Sequence, residues 1–148
     1  MLGEFELIRH YFAAAACARA GGEVVLGIGD DCALLQIPSG EQLAVSTDTL
    51  VAGVHFLADD PPADIAAKML RVNLSDLAAM AAEPLAYSLV TSLPAGLGDE
   101  WLADFAAQLA EDQRDYGIHL MGGDSVSTPG PVTLSVTAFG LVPAGQAL

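Results

Sequence analysis

Basic residues are scarce: the 148-residue chain has 5 Lys and Arg against 19 Asp and Glu, a net charge of −14. That deficit argues against a nucleic-acid backbone or an anionic membrane as principal partner, because both call for clustered cations. An anionic substrate such as a nucleotide is also repelled unless metal ions neutralise its site. Cysteine is sparse too. Cys17 and Cys32 form no CxxC pair or Cys/His cluster, which points to a reduced, cytoplasmic setting rather than a disulfide framework or a zinc site. Long unbroken apolar runs are missing. Glu4 and Glu6 stand where a secretory leader is basic, and Arg9 and His10 interrupt its apolar core. Residues 125–148 carry no charge, but Pro129, Pro131, Pro143 and several glycines divide them, so they suit a strand better than a membrane helix. No GxxxxGK[ST] occurs. Gly27-Ile28-Gly29-Asp30-Asp31-Cys32 has Cys in place of the third glycine of a dinucleotide fingerprint, and a strand-like run follows it. P-loop and Rossmann readings are set aside.

What is present is apolar and patterned. Hydrophobic residues make up 53% of the chain, enough for one folded domain with a real core over residues 1–148. Phe5, Ile8, Tyr11 or Phe12, and Ala15 recur at helical spacing, predicting a helix over 4–20 that Gly21-Gly22 stops. Short strands follow at 24–28 and 32–37. Pro38-Ser39-Gly40 then turns the chain into an apolar strand from Leu43. A helix opens at Asp60-Pro61-Pro62-Ala63-Asp64 and runs to about Ala82, where Glu83-Pro84 ends it. Ile65, Met69, Asn73, Asp76 and Met80 share one of its stripes. Residues 85–93 are nearly all apolar and read as a central strand. An amphipathic helix over 98–116 and strands at 118–121 and 132–142 complete an α+β fold, a mixed or antiparallel sheet covered by helices.

Chemistry concentrates where apolar elements end in aspartate. Asp30 and Asp31, Asp48, Asp76 and Asp124 all occupy such places. One is routine turn chemistry. Four such places with few cations suggest a shared polynuclear Mg²⁺ site, since clustered carboxylates otherwise repel. Ser46 and Thr47 beside Asp48 add hydroxyls to an oxygen nest for a hard cation. The alternation of the strand sets Leu43 and Val45 on one face, Ser46 and Asp48 on the other. Gly122-Gly123 before Asp124 lets a phosphate approach backbone amides, although a plain turn explains the pair as well. His55 is a candidate contact to a substrate phosphate or ring. No nucleophile–base arrangement stands out, so no covalent catalytic residue is expected.

These segments resemble the thiamine-monophosphate kinase family. The resemblance rests on Gly3-Glu4-Phe5 with Leu7-Ile8, on Gly27–Ala33, on Ser46–Phe56, on Asn73-Leu74-Ser75-Asp76-Leu77-Ala78-Ala79-Met80, and on Gly122-Gly123-Asp124. It implies Mg²⁺-dependent transfer of a phosphoryl group from ATP directly to thiamine monophosphate. It also implies the fold of aminoimidazole-ribonucleotide-synthetase N-terminal domains, paired into a homodimer around a shared barrel. Carried over by position, Asp31, Ser46, Thr47, Asp48, Asp76 and Asp124 resemble Mg²⁺ ligands, with Asp30 less firmly placed. Gly123 and Asp124 resemble part of the ATP phosphate site, and His55 a substrate contact. Metals would offset charge in an in-line transfer, with positioning supplying most of the catalysis.

Two local departures stand out. Ser125-Val126-Ser127-Thr128 has no arginine where the family usually carries one, and Met80-Ala81-Ala82 replaces Met-Gly-Ala. The resemblance also implies a second, C-terminal domain, so the 148 residues are expected to be the N-terminal metal- and ATP-binding half, weak or inactive alone. Two alternatives stay open: a superfamily relative such as a selenophosphate synthetase or hydrogenase-maturation protein, and a non-catalytic dimerisation or metal-binding module.

Overall fold

A computed structural model describes Glu6 and residues 8–13, 23–29 and 31–148. Its frame is a four-stranded sheet in the order β3-β6-β4-β5, formed by β3 (Glu41–Val51), β4 (Glu83–Pro94), β5 (His119–Thr128) and β6 (Thr133–Pro143). β6 runs antiparallel to both neighbours, and β4 and β5 are parallel. A parallel pair needs a long crossover, and here helix α2 (Asp99–Tyr116) supplies it. Helix α1 (Pro62–Ala79) lies beside α2 on the same face of the sheet. A two-stranded ribbon, β1 (Val24–Leu26) and β2 (Leu34–Leu35), packs on the opposite face through Val24, Leu35 and Met121. The mixed sheet with helices over it is the α+β architecture read from the sequence.

The main core lies between sheet and helices. β6 alternates strictly: Leu134, Val136, Ala138 and Val142 are buried under the helices, and Thr133, Ser135, Thr137 and Phe139 face the other way. This alternation is cleaner than its sequence suggests, because Ala138 and Gly140 contribute to the buried face without looking like core residues. β4 is central, as its apolar run implies. Between the helices Asp112 is fully buried and accepts both Arg71 (Nη2 to Oδ1, 2.9 Å; Nε to Oδ2, 3.1 Å) and Gln108. A carboxylate without those donors would be strongly destabilising there.

Several boundaries differ from expectation. β1 and β2 are shorter than 24–28 and 32–37. α1 stops three residues before Ala82. Ala81 adopts a left-handed φ of 57°, the Ala82 amide donates to Leu77 O, and the Ala81 amide donates to Ala78 O. This paired closure satisfies the last carbonyls before Glu83-Pro84 is reached. Gly122-Gly123-Asp124 lies inside β5, not in a turn before it. Of the helix expected over 4–20, the described part contains a π-helical turn, Ile8–Ala13; most of the remainder falls outside the described residues. No helix among the described residues is long and apolar enough to cross a membrane.

Candidate functional site

β3 brings the first set of candidate residues together. Ser46 pairs with Ala138 and Asp48 with Val136, both partners buried beneath the helices. Ser46 and Asp48 therefore project toward the helical layer, as the alternation predicts. α1 meets them there. Ser46 Oγ donates to Asp76 Oδ2 at 3.2 Å. Asp48 lies inside the strand rather than at its end, and its Oδ1 accepts the Thr49 amide at 2.9 Å. Thr47 faces away from this set. It stands opposite Thr137 on the other face, with 3.4 Å between the hydroxyls.

A second set lies at the far edge. Asp31, Cys32, Gly123 and Asp124 line a cavity of about 360 Å³, together with Phe12. Thr91 Oγ1 donates to Ser125 Oγ at 2.8 Å in its wall, both residues buried. Asp124 repeats the local geometry of Asp48: its Oδ1 accepts the following amide, of Ser125, at 2.9 Å. Gly123 has φ 146°, and a Cβ there would sit 1.8 Å from Leu89 O. The close approach of β5 to β4 thus requires this glycine on structural grounds alone. Asp30 is outside the described residues.

The two sets do not meet within one chain. Asp48, Val136, Leu89 and Gly123 follow one another across the four strands, so β3 and β5 edges stand three strand spacings apart, roughly 14 Å. Asp124 also pairs with Val90, on the face away from the helices. The single shared centre expected of Asp31, Ser46, Thr47, Asp48, Asp76 and Asp124 is thus divided by strand order. Among the described residues no group of three or more His, Cys, Asp or Glu gathers around one point. The donor chemistry still fits Mg²⁺. Every candidate is a carboxylate or hydroxyl, and this ion takes one or two carboxylates with water and substrate phosphate completing its shell.

His55 is held in the turn after β3. Its amide donates to Val51 O, and its Nδ1 accepts the Val51 amide, both at 2.9 Å. Lys68 Nζ on α1 donates to the His55 carbonyl. Lys68 escaped the sequence reading because nothing in its flanks distinguishes it from a solvated helix lysine. Asp112 and Gln113 escaped for the same reason, although Gln113 donates to the buried Tyr87 hydroxyl at 2.6 Å.

A family described as AIR synthase related protein, N-terminal domain, matches residues 29–142. The chain belongs to that family. Within the AIR synthase N-terminal domains it is similar to the thiamine-monophosphate kinase of Escherichia coli K12, at 50% identity over 99% of this chain and 43% of the relative. The crystal structure of the thiamine-monophosphate kinase from Stenotrophomonas maltophilia K279a superposes with a TM-score of 0.77. It is 44% identical and covers 95% of this chain and 42% of its own. A further structure, AaThiL complexed with AMPPCP and TMP, superposes at 0.68 with 25% identity, covering 73% of this chain and 35% of its own. The chain thus spans less than half the length of these relatives.

Proposed function

We propose that this chain is the metal- and nucleotide-handling N-terminal part of a cytoplasmic thiamine-monophosphate kinase, which phosphorylates thiamine monophosphate with ATP to give thiamine diphosphate. The observation that carries the reading is the likeness to the Escherichia coli kinase over nearly the whole chain. The complex of a similar protein with an ATP analogue and TMP supports both substrates. A second domain, which the resemblance implies, is part of the proposal.

In this reading Ser46, Asp48 and Asp76 hold one Mg²⁺-binding edge. Asp31 and Asp124 hold another, with Gly123 exposing β5 backbone to the nucleotide phosphates. Thr47 is retained only through its backbone position, since its side chain is turned away. Bound Mg²⁺ would offset the charge on the phosphates during in-line transfer. The chain's own residues position the reactants: His55 donates to thiamine monophosphate, and the acidic edges leave a bare phosphate unfavoured. No side chain is needed as a nucleophile.

A homodimer is part of this reading. The sheet face away from the helices is incompletely covered and exposes Val45, Val90 and Val126 at 57%, 38% and 44%. Pairing these faces around a barrel would bring the β3 edge of one copy toward the β5 edge of the other, with Asp124 on the inner face and Ser46, Asp48 and Asp76 on the helix-covered side.

The test is product formation from ATP, Mg²⁺ and thiamine monophosphate, using this chain with the remaining domain of a relative supplied in trans. Thiamine diphosphate from the wild type and none from Asp48→Asn is expected. Equal turnover by both would overturn the assignment of that edge, and no turnover by either would overturn the kinase reading.

A further inference from the structure

His55 uses almost every polar group it has to define its own orientation. Its backbone amide and ring Nδ1 close on Val51 from both sides. The Gly53 amide donates to Phe56 O at 2.7 Å, and Gly53 takes a φ of 84° that makes this tight reversal accessible. Because Nδ1 accepts a backbone N–H, it carries no proton. The neutral ring must bear its proton on Nε2. The side chain is exposed, so the turn presents one N–H donor outward.

Phe56 anchors this turn in the core and the Ala52 amide donates to Val132 O at 2.9 Å; Lys68 adds a side-chain link from α1 to His55 itself. The His55 carbonyl accepts the Lys68 ammonium from α1, and α1 is also the helix that carries Asp76 to Ser46. Lys68 and Asp76 are about two turns apart on that helix, roughly 12 Å. α1 thereby meets β3 at its middle, through Ser46, and the turn that follows it, through His55.

The geometry points to Lys68 as a positioning residue, whose ammonium fixes His55 within the Val51–Phe56 turn and thereby holds it in the Nε2–H tautomer. The proposal rests on the kinase reading only for the identity of the ligand that His55 meets. The tautomer is a property of the free chain. Without Lys68 the His55 carbonyl loses its charged donor; Val51 stays in the sheet and Phe56 in the core, so the freedom gained is that of His55, whose ring can then leave the Val51 amide.

The experiment is ¹⁵N–¹H correlation of the imidazoles in this chain, with the His55 signals assigned by their loss in His55→Gln. The wild type is expected to show a single Nε2–H pattern, Lys68→Met an averaged pattern from both tautomers, and Lys68→Arg recovery of the single pattern. Thermal unfolding is followed alongside, and the Lys68→Met midpoint should stay close to wild type. Thiamine monophosphate binding should weaken roughly tenfold in Lys68→Met, the scale of one charge-assisted hydrogen bond. His55→Gln should weaken it similarly, and the double variant little further. An unchanged single tautomer in Lys68→Met would overturn the proposal, as would mixed tautomers in the wild type. If the tautomer responds as stated but no variant alters thiamine monophosphate binding, the positioning role holds and the substrate contact assigned to His55 falls.

Discussion

Ser46 on β3 and Asp76 on α1 are thirty residues apart in sequence, yet their side chains meet at 3.2 Å. The contact needs both periodicities at once. β3 turns Ser46 and Asp48 toward the helices, and α1 carries Asp76 at the margin of its buried stripe, one turn beyond fully buried Asn73. Asp76 remains exposed, so its carboxylate stays hydrated while it faces the strand. For stability this hydrogen bond is minor; its value lies in placing oxygen donors together.

Asp76→Asn should therefore leave folding stability within about 0.5 kcal/mol of wild type, the scale for an exposed polar contact. On the proposed kinase function, binding of a magnesium-loaded ATP analogue to this chain, measured by calorimetry, should fall at least tenfold. A variant that loses stability but keeps nucleotide affinity would assign Asp76 to the scaffold.

Gly123 and its neighbour Gly122 separate a packing role from a ligand role. A Cβ at 123 collides with the β4 backbone at Leu89, whereas one at 122 meets nothing within 4 Å. Gly123→Ala should cost about 3 kcal/mol through strand separation and strain. Gly122→Ala should cost under about 1 kcal/mol. Denaturant unfolding of the two variants checks the contrast; equal losses would contradict the close approach of β4 and β5.

The end of α1 carries a residue that its backbone does not favour. Ala81 occupies the left-handed position usual for glycine, within a closure already completed by Leu77 and Ala82. Ala81→Gly relieves the Cβ clash at the cost of extra freedom in the unfolded chain, and should stabilise by about 1 kcal/mol. Thermal unfolding decides it. A lower midpoint would mean that Ala81 is not held at positive φ.

Tyr11 links the N-terminal π-helical turn to α2. Burial first, then the charge and hydrogen bond of Asp99, raise its phenol above the ordinary 10.0. The sign follows from that direction. The neutral phenol is favoured in the folded chain, so its contribution is fully present below pH 10.0 and is lost as pH rises through the higher folded value. Stability measured against pH should show a gap between wild type and Tyr11→Phe that is constant at neutral pH and closes in strong alkali. Among the three tyrosines, the absorbance change missing from Tyr11→Phe should titrate above the ordinary phenol range.

The sequence by itself determined the local elements and raised an expectation about the chemistry. Apolar spacing of 3.6 marked α1 and α2, apolar runs marked β3 and β4, and the division of Ser46 and Asp48 from Leu43 and Val45 followed from a period of two. These are local signals, written within a few residues of where they act. The excess of carboxylates over cations likewise pointed to a hard cation with no need for three dimensions. Strand order was decided only by the tertiary structure. Whether β3 neighbours β5 or is separated from it by β6 and β4 depends on pairings between residues some ninety positions apart, such as Thr47 with Thr137. No local pattern encodes those pairings, because every strand presents the same unpaired backbone groups at its edges. That order divides the aspartates between two edges of one chain. The same dependence on distant contacts hid Lys68, an unremarkable helix residue until the fold brings the His55 carbonyl to its ammonium.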